Sequence, residues 1–261
     1  MTKKKRRDIN FFRENRERVQ IALYDSGFLK IIEKTDLPLQ IEEQKAKEGQ
    51  LKYVLLDNIP ASDNIRPQAW VINMEMDKTI FSSPLGFKTV EKAIVFFTCE
   101  NLYILMVEMK TTLIPYGESG AEAILKKLKD SISRISVLLT TQIFDYEFNN
   151  VKIKYFGLIC FNNENWTSQG NQDPQFAKNE VYRVFKKLQP DLKINDSLGG
   201  DHKVQLFFQK NTSSNPESMT VDLAEIFVND DEFVNASYTE LTFPSLEILP
   251  KAPSSKEENL G

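Results

Sequence analysis

The sequence predicts an α/β fold, a mixed central β-sheet flanked by helices. Three observations carry that reading. Two apolar runs, Glu91 to Thr98 (EKAIVFFT) and Leu102 to Thr112 (LYILMVEMKTT), are rich in β-branched and aromatic residues and are separated only by Cys99, Glu100 and Asn101. That pattern is a β-hairpin. Over about 120–140, Leu125, Leu128, Ile132, Ile135 and Leu139 recur at three- and four-residue steps, which gives one apolar stripe on a helix. Lys152 to Phe161 (KIKYFGLICF) then reads as a further strand.

The remaining elements are placed in chain order. Asn10 to Lys34 is expected to be helical, with Asn10 as N-cap and Gly27 as a break or kink. Gln40 to Gln50 is polar and charged, a helix continuation or a linker. Leu51 to Leu56 (LKYVLL) is expected as a strand, Ile59 to Pro67 as a loop, and Trp70 to Met74 as a second short strand. Ser82 to Gly86 (SSPLG) has the chemistry of a turn. The run from Leu102 is apolar on both faces as far as Val107, which predicts a central strand. On the helix that follows, Lys126, Lys127, Lys129 and Arg134 are assigned to the outer face. Pro174 to Leu188 reads as an amphipathic helix with Phe185 and Leu188 inward, and Val204 to Gln209 and Met219 to Phe227 as late strands. The expected organisation is a single α/β domain over 1–245, with a core at about 10–165, a C-terminal extension over 166–245, and a flexible tail over 246–261.

Composition narrows the function classes. A chain of 261 residues can bury one sizeable core, and 18 Phe with 8 Tyr supply large side chains for a sheet-rich interior. Cys99 and Cys160 lie in apolar strand-like runs and read as reduced core residues, so no disulfide framework is expected. No apolar stretch reaches the ~18 residues of a membrane span, and the basic cluster Lys3, Lys4, Lys5, Arg6, Arg7 has no apolar segment behind it. The expectation is a cytoplasmic protein with no membrane partner. A net charge of −4 argues against non-specific coating of nucleic acid, although local basic surfaces stay open.

One stretch asks for chemistry. Glu108 and Lys110 sit two apart on a strand, so their side chains share a face. They follow an uncharged run in what should be the most buried strand, where an unpaired ion costs several kcal/mol. Another side chain, a metal, or water at the strand end should therefore compensate. A two-residue turn at Glu100 and Asn101 would set Glu91 across from Lys110, and a four-residue turn would set it across from Glu108. In either register the three converge on one face, whereas a three-residue turn would separate them. Two carboxylates and a lysine suit metal-assisted phosphodiester hydrolysis, in which the cation acidifies a bound water and the lysine steadies phosphate charge. Oxygen ligands select Mg²⁺ or Mn²⁺, and the single histidine, His202, leaves little for a zinc site. No Ser/His/Asp or Cys/His triad can be assembled.

These features resemble the PD-(D/E)xK nuclease superfamily, whose core the series of helix 10–34, strand 51–56, hairpin 91–98 and 102–112, helix 120–140 and strand 152–161 is similar to. The superfamily signature is an acidic residue opening one strand, Glu-x-Lys on the next, and a helix packing on the sheet. Here the Glu-x-Lys is Glu108-Met109-Lys110, and Glu91 takes the first acidic position, where the superfamily usually has Asp. Asp77 is a substitute for that position. The resemblance implies a restriction-endonuclease-like core, catalytic Glu91, Glu108 and Lys110, and a Mg²⁺ or Mn²⁺ site made by Glu91, Glu108 and the Met109 backbone carbonyl. Glu14 or Glu17 on the first helix would complete it. It further implies a nuclease acting on DNA in preference to RNA. The basic helix faces with Lys126, Lys127, Lys129, Lys178, Lys186 and Lys187 would then contact backbone phosphates, and a solvated helix face explains those lysines equally well. By analogy with the superfamily, such a chain could be the effector of a restriction or antiviral defence system with a protein partner supplying specificity.

Two other readings stand beside this one. Glu108 and Lys110 could form a solvated strand end, with Glu91 as an ordinary cross-strand partner. The fold could also serve a non-catalytic interaction protein on a degenerate nuclease scaffold.

Overall fold

Alternating strand residues that are apolar on both sides require cover on both sides of a sheet, and the architecture supplies it. The computed structural model describes residues 16–60, 69–75, 88–97, 101–114, 117, 120–140, 152–164, 194–195, 201–202 and 204–227. Its centre is a six-stranded mixed sheet in the order β1-β4-β5-β6-β7-β10, formed by β1 (Leu29–Ile31), β4 (Ala69–Asn73), β5 (Lys92–Phe97), β6 (Asn101–Leu113), β7 (Lys152–Glu164) and β10 (Val204–Lys210). Neighbours from β1 to β6 are antiparallel, and β6, β7 and β10 are parallel. A smaller sheet of β11 (Ser218–Asp222), β3 (Tyr53–Asp57) and β2 (Leu39–Glu42) covers one face. Helices α1 (Arg16–Asp25) and α2 (Ala121–Thr140) cover the other. A short helix, α3 (Leu223–Ile226), follows β11, and β8 (Ile194–Asn195) pairs with β9 (Asp201–His202).

Strand period divides the interior into two cores. Ala93, Val95 and Phe97 of β5, with Leu102, Ile104 and Met106 of β6, point toward the helices and pack with Leu23 of α1 and Leu128, Ile132 and Ile135 of α2. Ile94 and Phe96, with Tyr103, Leu105, Val107 and Met109, point the other way onto Ile41, Val54, Leu56, Met219 and Val221. The expected helical stripe is buried throughout, and Lys126 and Lys129 are exposed. Close packing of α2 requires Gly157 on β7, because a Cβ there would lie 3.2 Å from Leu128 Cδ1 and 2.8 Å from Leu206 Cδ2.

Several expectations are corrected. The first helix does not continue to Lys34. Gly27, at φ 72°, closes it, and Phe28 then leads into β1. Glycine adopts that left-handed conformation at no steric cost, which makes it a terminator here instead of a kink. Part of the polar segment 40–50 is strand, since Leu39 and Ile41 point inward from β2 while Gln40 faces solvent. The strand at 51–56 forms as β3 but belongs to the smaller sheet, and β4 takes the place beside β5. The late strand at 219–227 stops at Asp222, whose carboxylate accepts from the Ala224 N–H at 2.8 Å and caps α3. The helix expected at 174–188 and the tail at 246–261 lie outside the described residues.

Candidate functional site

Register decides whether the charged residues meet. The β5–β6 ladder pairs Lys92 with Val107 and Phe97 with Leu102. This is the register of the four-residue turn, and it places Glu91, just before β5, beside Glu108 on the helix-covered face. Both are buried, Glu91 at 1% and Glu108 at 0% exposure.

The carboxylates are held differently. Glu91 Oε2 accepts from the Met109 N–H at 2.9 Å, and its Oε1 lies 3.6 Å from Lys127 Nζ. Glu108 Oε1 receives Lys110 Nζ at 2.5 Å and Lys127 Nζ at 2.7 Å. Glu108 Oε2 is buried without a hydrogen-bond partner among the described residues. The compensation expected for the buried strand is thus side-chain charge, two lysines against two carboxylates. Burial pushes the Glu91 carboxyl well above the ordinary range, and the neighbouring Glu108 charge pushes it further. Burial works against the Lys127 charge, but Glu91 and Glu108 outweigh it and raise its pKa above the ordinary lysine value. The two shifts compete, since a protonated Glu91 attracts Lys127 less. Glu108, with two close ammoniums, is the carboxylate that anchors the cluster.

Lys127 corrects the sequence reading, which set it on the outer face of α2. A second stripe explains it. Lys127, Ser131 and Arg134 lie at i, i+4 and i+7, one face of a helix, and that face docks against the start of β5. Ser131 Oγ accepts from the Val90 N–H at 3.1 Å, and Arg134 Nη1 donates to the Met74 carbonyl at 2.7 Å. Thr89 Oγ1 donates to the same carbonyl at 2.7 Å, and Met74 N–H donates to the Glu91 carbonyl at 3.2 Å. Arg134, also assigned outward from the sequence, is therefore buried. These bonds fix the backbone from which Glu91 projects.

Sequence reasoning missed two further carboxylates. Glu43, just after β2, and Glu75, just after β4, each bring a carboxylate oxygen to within 4.8 Å of the others and of Glu91. Both are half-buried, and burial followed by the Glu43 charge raises the Glu75 pKa. No motif marks them, because they come together only through the packing of the smaller sheet. The donor set suits a hard divalent cation, since it is all oxygen and gathers at one end of the sheet.

Other expected participants are not gathered there. Glu17 is exposed on α1 and is not part of the Glu43, Glu75 and Glu91 group. Met109 meets the cluster through its N–H, while its side chain packs in the opposite core. Glu14, Asp77, Lys178, Lys186, Lys187 and Cys99 lie outside the described residues. Cys160 is buried, and burial raises its thiol pKa, as expected for an inert core residue. No helix among the described residues is long and apolar enough to cross a membrane. No protein-family model, curated protein or solved structure matches the chain.

Proposed function

We propose that this chain is a Mg²⁺- or Mn²⁺-dependent nuclease that hydrolyses phosphodiester bonds, DNA in preference to RNA. The observation that carries the reading is the convergence of Glu91, Glu108 and Lys110 on one face of the β5–β6 pair, with both carboxylates buried. The run β4, β5, β6, α2, β7, with β6 and β7 parallel, supports a restriction-endonuclease-like core of the PD-(D/E)xK type, with β4 standing in the sheet where the sequence predicts the strand at 51–56. Basic residues exposed on α2, Lys126 and Lys129, are available to backbone phosphates.

Glu91 would hold the cation with Glu108, a ligand by the resemblance, while Glu75 and Glu43 gather with Glu91 as further oxygen donors; Glu108 is not part of that group of three. The Met109 carbonyl is a ligand by the resemblance alone. When bound, the cation supplies Lewis acidity toward phosphate and a more acidic water. Lys110, on the same strand face as Glu108, would hold a phosphate oxygen or the attacking hydroxide. The Met109 N–H fixes one oxygen of Glu91 and so orients the carboxylate. A protein partner supplying specificity, as in a restriction or defence complex, fits the acidic net charge of −4.

A second reading has an observation in its favour. The pairing of Glu108 with two lysines balances its charge without a metal, which suits a non-catalytic interaction protein on the same scaffold. Incubation with plasmid and oligonucleotides in Mg²⁺, Mn²⁺ or EDTA separates the two. Cleavage that EDTA abolishes supports the nuclease, and no cleavage of DNA or RNA under any divalent cation, with the natural partner present, supports the interaction protein.

A further inference from the structure

Lys127 bridges two buried carboxylates on neighbouring strands. Its Nζ lies 2.7 Å from Glu108 Oε1 and 3.6 Å from Glu91 Oε1. A cation shared by oxygens from both carboxylates is what the nuclease reading asks of a divalent ion, so the ammonium and the ion compete for the same oxygens. Lys110 does not bridge in this way, since among the described residues it pairs with Glu108 and not with Glu91. The lysine also has somewhere to go. It sits near the N-terminal end of α2 on a long unbranched arm, with its side chain 18% exposed. Ser131 and Arg134 tie the helix itself to the start of β5 and to Met74, so displacement would come from rotamer changes of the lysine side chain.

We propose that Lys127 is a tethered counter-ion that occupies the divalent-cation position between Glu91 and Glu108, so that metal binding displaces its ammonium toward solvent. This inference rests on the metal reading given under Proposed function. It adds that the chain limits its own metal affinity. Without a divalent ion the lysine neutralises carboxylates that would otherwise repel each other across a low-dielectric site. With the ion bound, the freed ammonium lies beside the cluster, where a substrate phosphate can take it up.

The test is calorimetric titration of the full chain with Mn²⁺. Lys127→Gln should bind Mn²⁺ about ten-fold more tightly or better, because a competing unit charge within ~4 Å is gone. Lys126→Gln removes the same charge one residue away on an exposed position and should stay within about two-fold of wild type. If wild type binds Mn²⁺ and Lys127→Gln binds it no more tightly, the counter-ion proposal is overturned and the metal reading survives. If neither folded protein binds, both fall. Should Lys127→Gln fail to fold, lysine acetylation of wild type read by mass spectrometry decides the matter. Saturating Mg²⁺ should speed labelling of Lys127 and leave that of Lys126 and Lys129 unchanged, and unchanged or slower labelling of Lys127 overturns the proposal.

Discussion

On the face of the six-stranded sheet turned toward β2, β3 and β11, Phe96, Tyr103, Phe156 and Phe207 stack in a row across β5, β6, β7 and β10, with neighbouring centroids 5.0, 5.5 and 5.9 Å apart. Phe227, just after α3, meets all of them edge-on, nearest Phe156 at 4.8 Å. On the opposite face the same β5–β6 pair runs out into Glu91, Glu108 and Lys110, and Lys127 comes down from α2 to meet them. One face is stabilised by ring contacts and buried apolar area. The other holds ions whose solvation is lost and whose stability depends on each partner being present. The stacked face is held by apolar packing, and the charged end of the other face holds buried ions that compensate one another.

If that division holds, the largest stability loss belongs to the stacked face. Phe156→Ala should cost about 3–5 kcal/mol in urea unfolding while leaving Mn²⁺ affinity unchanged; a change in affinity would show the two faces to be coupled. Next come Leu128→Ala and Ile132→Ala, each expected to cost about 2–5 kcal/mol. Near-zero destabilisation by both would place the stripe against a partner or solvent. Gly157→Ala should cost less, about 1–3 kcal/mol, since the flexible end of Leu206 can yield to the new methyl while the buried Leu128 cannot yield freely.

The smallest effect is also the most specific to the charged end. Glu91 has a folded-state pKa raised above 4.5. The native chain therefore keeps a proton that the unfolded chain releases, so this group's contribution to stability is fully present below pH 4.5 and is lost as pH rises through the folded value. Glu91→Gln stays neutral throughout. In EDTA the variant should gain on wild type as pH rises from 4.5, read as a growing difference in urea midpoint. A difference that shrinks over that window would mean that Lys127 and Met109 hold Glu91 ionised and stabilising.

Much of the frame was legible from the sequence. The hairpin, the helix at 121–140 and the strand at 152–164 announce themselves through long runs of consistent period. The shorter strands β1 and β2 did not, because three or four residues beside charged neighbours carry too little period to outweigh a helical reading. Glu91, Glu108 and Lys110 were legible as one face once the two runs were read as a hairpin, although the turn length left two registers open. Lys127 was readable in principle, since Lys127, Ser131 and Arg134 form a polar stripe beside the apolar one. Lysine on an amphipathic helix is so commonly solvated that the stripe went unused. Glu43 and Glu75 had no local signal, since what brings them to Glu91 is tertiary.

The central claim is that Glu108 holds a divalent cation at the point of phosphodiester hydrolysis. Its most direct test is single-turnover cleavage of a DNA substrate in Mg²⁺ by wild type and by Glu108→Gln, which keeps the shape and removes the charge. The account predicts cleavage by wild type that EDTA abolishes, and a loss of about 100-fold or more in the variant, with its fold intact by circular dichroism. A variant that cleaves as fast as wild type, or cleavage indifferent to EDTA, would contradict it.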